Sequence, residues 1–227
     1  MMHRNINNII NQIELRNWKK NEFAKQNWGY WFHSISSYVG RIKPSFAHHL
    51  INICSDENDV ILDPFCGIGT IPLEADFLKR KTIANDLNPY AYLITKAKFD
   101  RNGLQDELDY ISSLKEINLE TSIKNVPEWV SAFYHKKTLS EILCVRDQLF
   151  KDKKYFLIGC LLGIIHGHRP SHLSMRTGYI IPYIPNPKPE AEYRTVIPRL
   201  IAKAKRMYSD NVPENTYGET YHEDTKT

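Results

Sequence analysis

The chain has few of the features that would assign it to a specialised class. Its four cysteines, Cys54, Cys66, Cys144 and Cys160, are scattered and form no CxxC pair. That excludes the disulfide framework of small secreted domains and a zinc knuckle, and it suits a reducing compartment. Long apolar runs are absent: the longest, Tyr155 to Ile165, is too short to span a bilayer. The opening residues, MMHRNINNIINQIELRNWKK, hold no long apolar core and do not read as a signal peptide. Charge of one sign is not in marked excess, since +4 over 227 residues is too little by itself to argue for nucleic acid. Repeats and low-complexity blocks are missing too. What remains, 42% hydrophobic and 25% charged residues, is enough for an ordinary packed domain. A cytoplasmic protein with no membrane and no metal partner is expected.

The pattern changes along the chain. Residues 1–35 are rich in Asn and Lys and read as a helical arm. Residues 36–107 alternate between strand and helix. Pro44 starts an amphipathic helix with Phe46, Ala47, Leu50, Ile51 and Cys54 on one face. Asp59–Asp63 is a short buried strand, followed by a helix over Thr70–Lys81 with Pro72 in its first turn. Thr82–Asp86 is a second strand, and the helix after it closes on Gly103. This β-α-β-α order predicts a parallel sheet and an α/β fold. Residues 108–210 read as a helical insertion. Lys136–His168 forms two helices, the second apolar nearly all round, and a proline-rich loop, Tyr179–Tyr193, precedes a last helix. Residues 211–227 hold a possible third strand at TYGETYHED and a tail.

The stretch VILDPFCGIGTIPLEA, Val60 to Ala75, carries the chemistry. Asp63 ends the first strand, and Gly67 and Gly69 let backbone approach a ligand where a Cβ would collide. Asp86 ends the second strand 23 residues later, where a carboxylate reaches a ribose diol. The GxGxxG of dinucleotide folds is absent, and Asp63 would repel a pyrophosphate. A carboxylate beside a glycine turn suits a ligand with a positive amino group and no phosphate. S-adenosylmethionine has that chemistry. The plainer alternatives are a tight turn at the two glycines and a helix cap at Asp86.

LDPFCGIGT resembles motif I of the class I SAM-dependent methyltransferases, in the version used by DNA amino-methyltransferases of the adenine-N6 and cytosine-N4 type. NDLNPYAYLITKAK resembles their motif II, and SSYVGRIKPSFAHHLI their motif X. The resemblance covers Ser36 to about Lys98. It implies a Rossmann-like class I methyltransferase sheet, incomplete here at strands 1–3, with S-adenosylmethionine as cofactor. By the same resemblance Asp63, Pro64, Phe65, Gly67, Gly69 and Thr70 hold the methionine moiety and Asp86 the ribose. Leu87 packs on adenine, with Asp224 near it. Ser36, Tyr38, Gly40, Lys43 and Pro44 approach the carboxylate end, although Lys43 also reads as a solvated lysine.

The family's catalytic tetrapeptide, (Asp/Asn/Ser)-Pro-Pro-(aromatic), is not found, because the chain has no Pro-Pro pair. Asn88-Pro89-Tyr90 is the nearest likeness and belongs to motif II, so no catalytic residue is assigned. The expected sheet would leave strand 1 with an open apolar edge. A second polypeptide or a C-terminal half is therefore expected to supply strands 4–7 and the catalytic motif.

From Arg169 to Arg206 there are eight Arg or Lys against two Glu, interleaved with Tyr179, Tyr183 and Tyr193. That composition suits phosphate contact and base stacking, or simply a solvated basic face. Arg169, Arg176, Lys188 and Arg194 are the candidate nucleic-acid contacts. His166, His168 and His172 lack the Cys or paired acids a metal site would want. The leading expectation is a DNA methyltransferase of a restriction-modification setting, present as its cofactor-binding part. The rivals are a tRNA guanine-N2 methyltransferase and a non-catalytic SAM-binding subunit or truncated relic.

Overall fold

The computed structural model describes residues 6–14, 20–25, 28–114, 119–167, 169–175, 190–213 and 216–225. The chain divides into two compact units, residues 1–101 with 210–227, and residues 102–209.

The first unit is built on three parallel strands, β1 (Val60–Asp63), β2 (Lys81–Asn85) and β3 (Gly218–Tyr221), in the order β1-β2-β3. Register runs Asp63 to Ala84 and Asn85 to Tyr221, so the three carboxyl ends lie side by side. This is the incomplete Rossmann-like sheet expected of the sequence, third strand included. Its helices are α1 (Ile6–Glu14), α2 (Pro44–Cys54), α3 (Thr70–Phe77) and α4 (Pro89–Phe99).

Both ends of these helices have local causes. Pro44 and Pro89 stand in first turns, where a missing N–H costs nothing, and the Asn88 side chain accepts the Tyr90 N–H at 2.9 Å. The helix expected over Thr70–Lys81 stops at Phe77, as Lys79 takes a left-handed φ of 61° to turn the chain into β2. The helix expected to close on Gly103 stops at Phe99 instead. Arg101 turns inward to a buried ion pair with Asp76, beside the rings of Phe32 and Phe77. Gly103 begins the following helix. On α2 the buried positions are Pro44, Ser45, Ala47, Ile51 and Ile53, while Cys54 is exposed; the inward face is rotated from the one the periodicity indicates.

α3 and α4 cover one face of the sheet, against buried Thr82 and Ala84. Phe99 closes the β3 side so tightly that a Cβ at Gly218 would lie 2.3 Å from its ring. The opposite face carries Val60, Leu62 and Ile83, which are 58%, 65% and 38% exposed. Leu62 and Ile83 are register partners, so these apolar residues adjoin. Among the described residues β1 pairs only with β2, and its other edge is open.

The second unit is helical: α5 (Leu104–Ser113), α6 (Glu128–Ser131), α7 (Lys136–Lys151), α8 (Tyr155–Ile165) and α9 (Val196–Met207). α8 is buried along most of its length, through Phe156 to Leu161 and Ile164, and packs on α7 and α9. α5 and α6 had no expectation in the sequence. Among the described residues no helix is long and apolar enough to cross a membrane.

Candidate cofactor-binding site

The site is a turn between β1 and α3, flanked by the ends of two strands. After Asp63 the chain passes Pro64 and Phe65, and Cys66 N–H bonds the Asn85 carbonyl at 2.9 Å, which extends the β1–β2 pairing. Gly67 and Gly69 then adopt φ of 53° and 68°, and Gly69 N–H closes the turn on the Cys66 carbonyl at 2.8 Å. Gly69 is obligatory on two grounds: its φ is left-handed, and a Cβ would lie 2.7 Å from the Thr95 side chain. α3 starts at once, so its first N–H groups, which lack intrahelical partners, open onto the turn.

Two carboxylates bracket the turn. Asp86 accepts Gly67 N–H on one oxygen and Asn88 N–H on the other, both at 2.8 Å. It therefore shapes the turn and the entry to α4 while remaining half-buried at the strand end. Among the described residues Asp63 accepts only a long bond from Phe65 N–H, 3.4 Å. Burial raises its carboxyl above the usual range, and the nearby Asp86 charge adds to that. Two adjacent carboxylates of which one resists ionisation favour a cation between them.

Tyr38 lies against Gly67 and stacks on Tyr90, with ring centroids 6.3 Å apart and planes 10° from parallel. The Tyr90 hydroxyl bonds the Ser36 hydroxyl and donates to the Ser37 carbonyl at 3.2 Å. The segment Ser36–Tyr38 is thereby fastened to the start of α4, beside the glycine turn. Lys43 is placed otherwise: its Nζ bonds the Phe23 carbonyl at 2.7 Å. Gly40 shapes an exposed turn at φ 83°, and Pro44 is buried at the start of α2. Phe65 and Leu87 are 76% and 63% exposed.

Several residues that the sequence reading passed over complete the site. The Asn85 amide donates to the Glu223 carbonyl and accepts Glu223 N–H, both at 3.0 Å, tying the segment after β3 to the end of β2. His222 bonds the Leu87 carbonyl at 2.9 Å and stacks on Tyr92. Asp224, by contrast, is exposed. Behind α3, Glu74 is buried between His33 Nε2 at 2.5 Å and His48 Nδ1 at 2.8 Å. Burial would raise the Glu74 carboxyl, but the two histidine hydrogen bonds hold it below the usual range. Burial lowers His33 to about 4, so at neutral pH it is an uncharged donor to Glu74.

The expected nucleic-acid contacts fare differently. Arg169 is exposed. Arg176 and Lys188 lie outside the described residues, as do His168, Tyr179 and Tyr183. Arg194 is corrected: it is buried, and its guanidinium donates to the His172 carbonyl at 3.0 Å and to the Ser174 carbonyl. It braces the second unit and presents no charge to a phosphate. Among the described residues no group of three or more His, Cys, Asp or Glu is arranged to hold a metal.

In sequence the chain resembles known methyltransferases. Over 161 residues the chain is 26% identical to a tRNA (guanine(10)-N2)-dimethyltransferase of Methanocaldococcus jannaschii, covering 66% of this chain and 44% of that protein. Over 90 residues it is 27% identical to the Type II methyltransferase M.MjaII of the same organism, covering 38% of this chain and 17% of that one. The chain thus spans less than half the length of either relative. No solved structure gives a significant match. The family model for DNA methylase matches residues 5–97, a stretch that includes Asp63, the glycine turn, Asp86 and the Tyr38–Tyr90 pair. The match is to that stretch, which carries the candidate cofactor site.

Proposed function

We propose that this chain is the S-adenosylmethionine-binding part of an enzyme that methylates an exocyclic amino group of a nucleic-acid base. The observation that carries the reading is the glycine turn bracketed by Asp63 and Asp86 and roofed by Tyr38. Asp63 suits the ammonium and sulfonium of the cofactor, and aromatic rings beside it favour a cation further. The α3 N-terminus suits the methionine carboxylate. Asp86 retains acceptor capacity for the ribose hydroxyls, and Leu87 and Phe65 offer exposed apolar surface for adenine. When bound, the cofactor supplies an activated methyl group; these residues hold and orient it.

The target base is recognised and deprotonated elsewhere. The chain has no Pro-Pro tetrapeptide, and β1 leaves an edge open and Val60, Leu62 and Ile83 bare. Parallel sheets are ordinarily covered on both faces. Both features support further strands added beside β1, from a second polypeptide or from another segment of the same protein.

DNA is the substrate that the family match supports. RNA is the second reading, and one observation favours it: the likeness to the tRNA enzyme is longer than residues 1–101 and so takes in part of the second unit. The test is calorimetric titration of the purified chain with S-adenosylmethionine, beside Asp86→Ala with its thermal midpoint recorded. The expected result is binding that the variant weakens at least about ten-fold. A folded chain that takes up no cofactor would sink the proposal.

A further inference from the structure

We infer that Lys98 and Thr95, on the inner side of α4, are positioning residues that hold the glycine turn in the shape needed for the methionine end of the cofactor; this rests on the cofactor reading above. Lys98 is fully buried, a rare place for a lysine. Its Nζ donates to the Ile68 carbonyl at 2.6 Å and reaches the Gly69 carbonyl at 3.5 Å. About one helical turn earlier, Thr95 Oγ1 donates to the Gly67 carbonyl at 3.0 Å, and the same side chain fills the space a Cβ at Gly69 would need.

Three successive carbonyls of the turn are therefore engaged from behind by two residues of one helix. A trans peptide points its oxygen and its N–H in opposite directions, so fixing the oxygens fixes where the amides face. The amides sharing those planes are Ile68, Gly69 and Thr70 N–H, of which Gly69 N–H closes on the Cys66 carbonyl at 2.8 Å; Gly67 N–H, on the preceding plane, goes to Asp86. α4 thus does two things for one ligand. Its start lies beside the ribose acid, and its third turn sets the pocket for the methionine end.

The chemistry of Lys98 argues for this role over simple packing. Burial draws its ammonium down to about 7, with Arg41 pushing the same way and Cys66 and Glu74 opposing. Glu74 is bonded to His33 and His48, so the direct partners recorded for Lys98 are the two carbonyls. A methionine would fill such a space without the desolvation cost. What a methionine could not do is hold the Ile68 and Gly69 carbonyls.

The test compares wild-type chain, Thr95→Val, Thr95→Ser and Lys98→Met for binding of S-adenosylmethionine and of adenosine, with thermal midpoints measured alongside. Adenosine has the nucleoside but not the methionine end. Thr95→Val and Lys98→Met are expected to lose about ten-fold in affinity for S-adenosylmethionine while keeping adenosine within about two-fold. Thr95→Ser, which retains the hydroxyl, is expected to bind both ligands as the wild-type chain does. Equal losses for both ligands would reduce these residues to packing and overturn the inference, as would a folded Thr95→Val of wild-type affinity. Should Lys98→Met fail to fold, the Thr95 pair decides. A wild-type chain that binds neither ligand overturns the cofactor reading itself, a result distinct from variants that bind as wild type does.

Discussion

The two faces of the three-stranded sheet differ in how they are finished. On one, α3 and α4 bring Leu73, Ala75, Ile94 and Ala97 to near-zero exposure, and several charged groups buried with them have partners: Asp76 with Arg101, Glu74 with His33 and His48, Lys98 with carbonyls. On the other, Val60, Leu62 and Ile83 stand exposed. The covered face fixes the glycine turn and the strand ends, so binding geometry is built there. The bare face contributes nothing to that geometry and leaves apolar surface exposed; under the reading proposed above, it is where further strands would add.

The largest effect expected from breaking the covered face is at the Arg101–Asp76 pair. Both side chains are 0% exposed, and Asp76 also accepts Tyr217 N–H, so it fastens the entry to β3. Arg101→Met leaves the Asp76 carboxylate buried without its cation, which costs about 3–5 kcal/mol. Denaturant unfolding of the variant should show that loss. A change under about 1 kcal/mol would mean that water reaches the pair and that the face is less sealed than its burial indicates.

A smaller effect follows from acid. His33 in the folded chain is lowered to about 4 from an ordinary 6.5, so between these values the unfolded chain binds the extra proton. Its contribution is whole above about pH 6.5 and fades as pH falls toward 4. Glu74, held below its usual range by the histidines, loses stability in the same direction as it protonates. His33 should cost on the order of 2–3 kcal/mol across that window, and the loss from Glu74 sets in only below about pH 4.5. His33→Gln, which removes the titrating group while keeping a donor, should flatten the stability profile between pH 6.5 and 4. A profile as steep as wild type would place the acid sensitivity elsewhere.

The covered face was only partly legible in the sequence. The strands, the glycine turn and the two acids are local patterns: an apolar run, a Gly-x-Gly and a carboxylate at each strand end. The third strand was legible from the same alternation. The pairs that seal the face are not local. Asp76 and Arg101 are 25 residues apart, His33 and Glu74 41 apart, and nothing in either neighbourhood marks the partner. Lys98 reads as one of two lysines in a last helical turn, and only packing shows that it points inward. Arg194 failed for the same reason. Its charge suggested a phosphate, while the carbonyls of His172 and Ser174, supplied by a loop about 20 residues earlier, had already claimed it. On α2, the alternatives Ile53 and Cys54 are neighbours, and helical periodicity alone does not decide which faces in.

The bare face should give the smallest effect on stability and the sharpest one on assembly. Leu62→Ser replaces a side chain that is 65% exposed, so little apolar contact is lost on one side of the comparison. Its unfolding free energy should change by less than about 0.5 kcal/mol. Binding of S-adenosylmethionine should stay at the wild-type level, because the turn is set from the other face. What should fall is association with whatever completes the sheet: a segment carrying the missing strands should bind the wild-type chain and bind Leu62→Ser much more weakly, since a hydroxyl would be buried there without a partner. The measurement is a pull-down or sedimentation titration of the two chains against that segment. Loss of cofactor binding in Leu62→Ser would show that the faces are not independent. Full retention of assembly would move the contact away from β1.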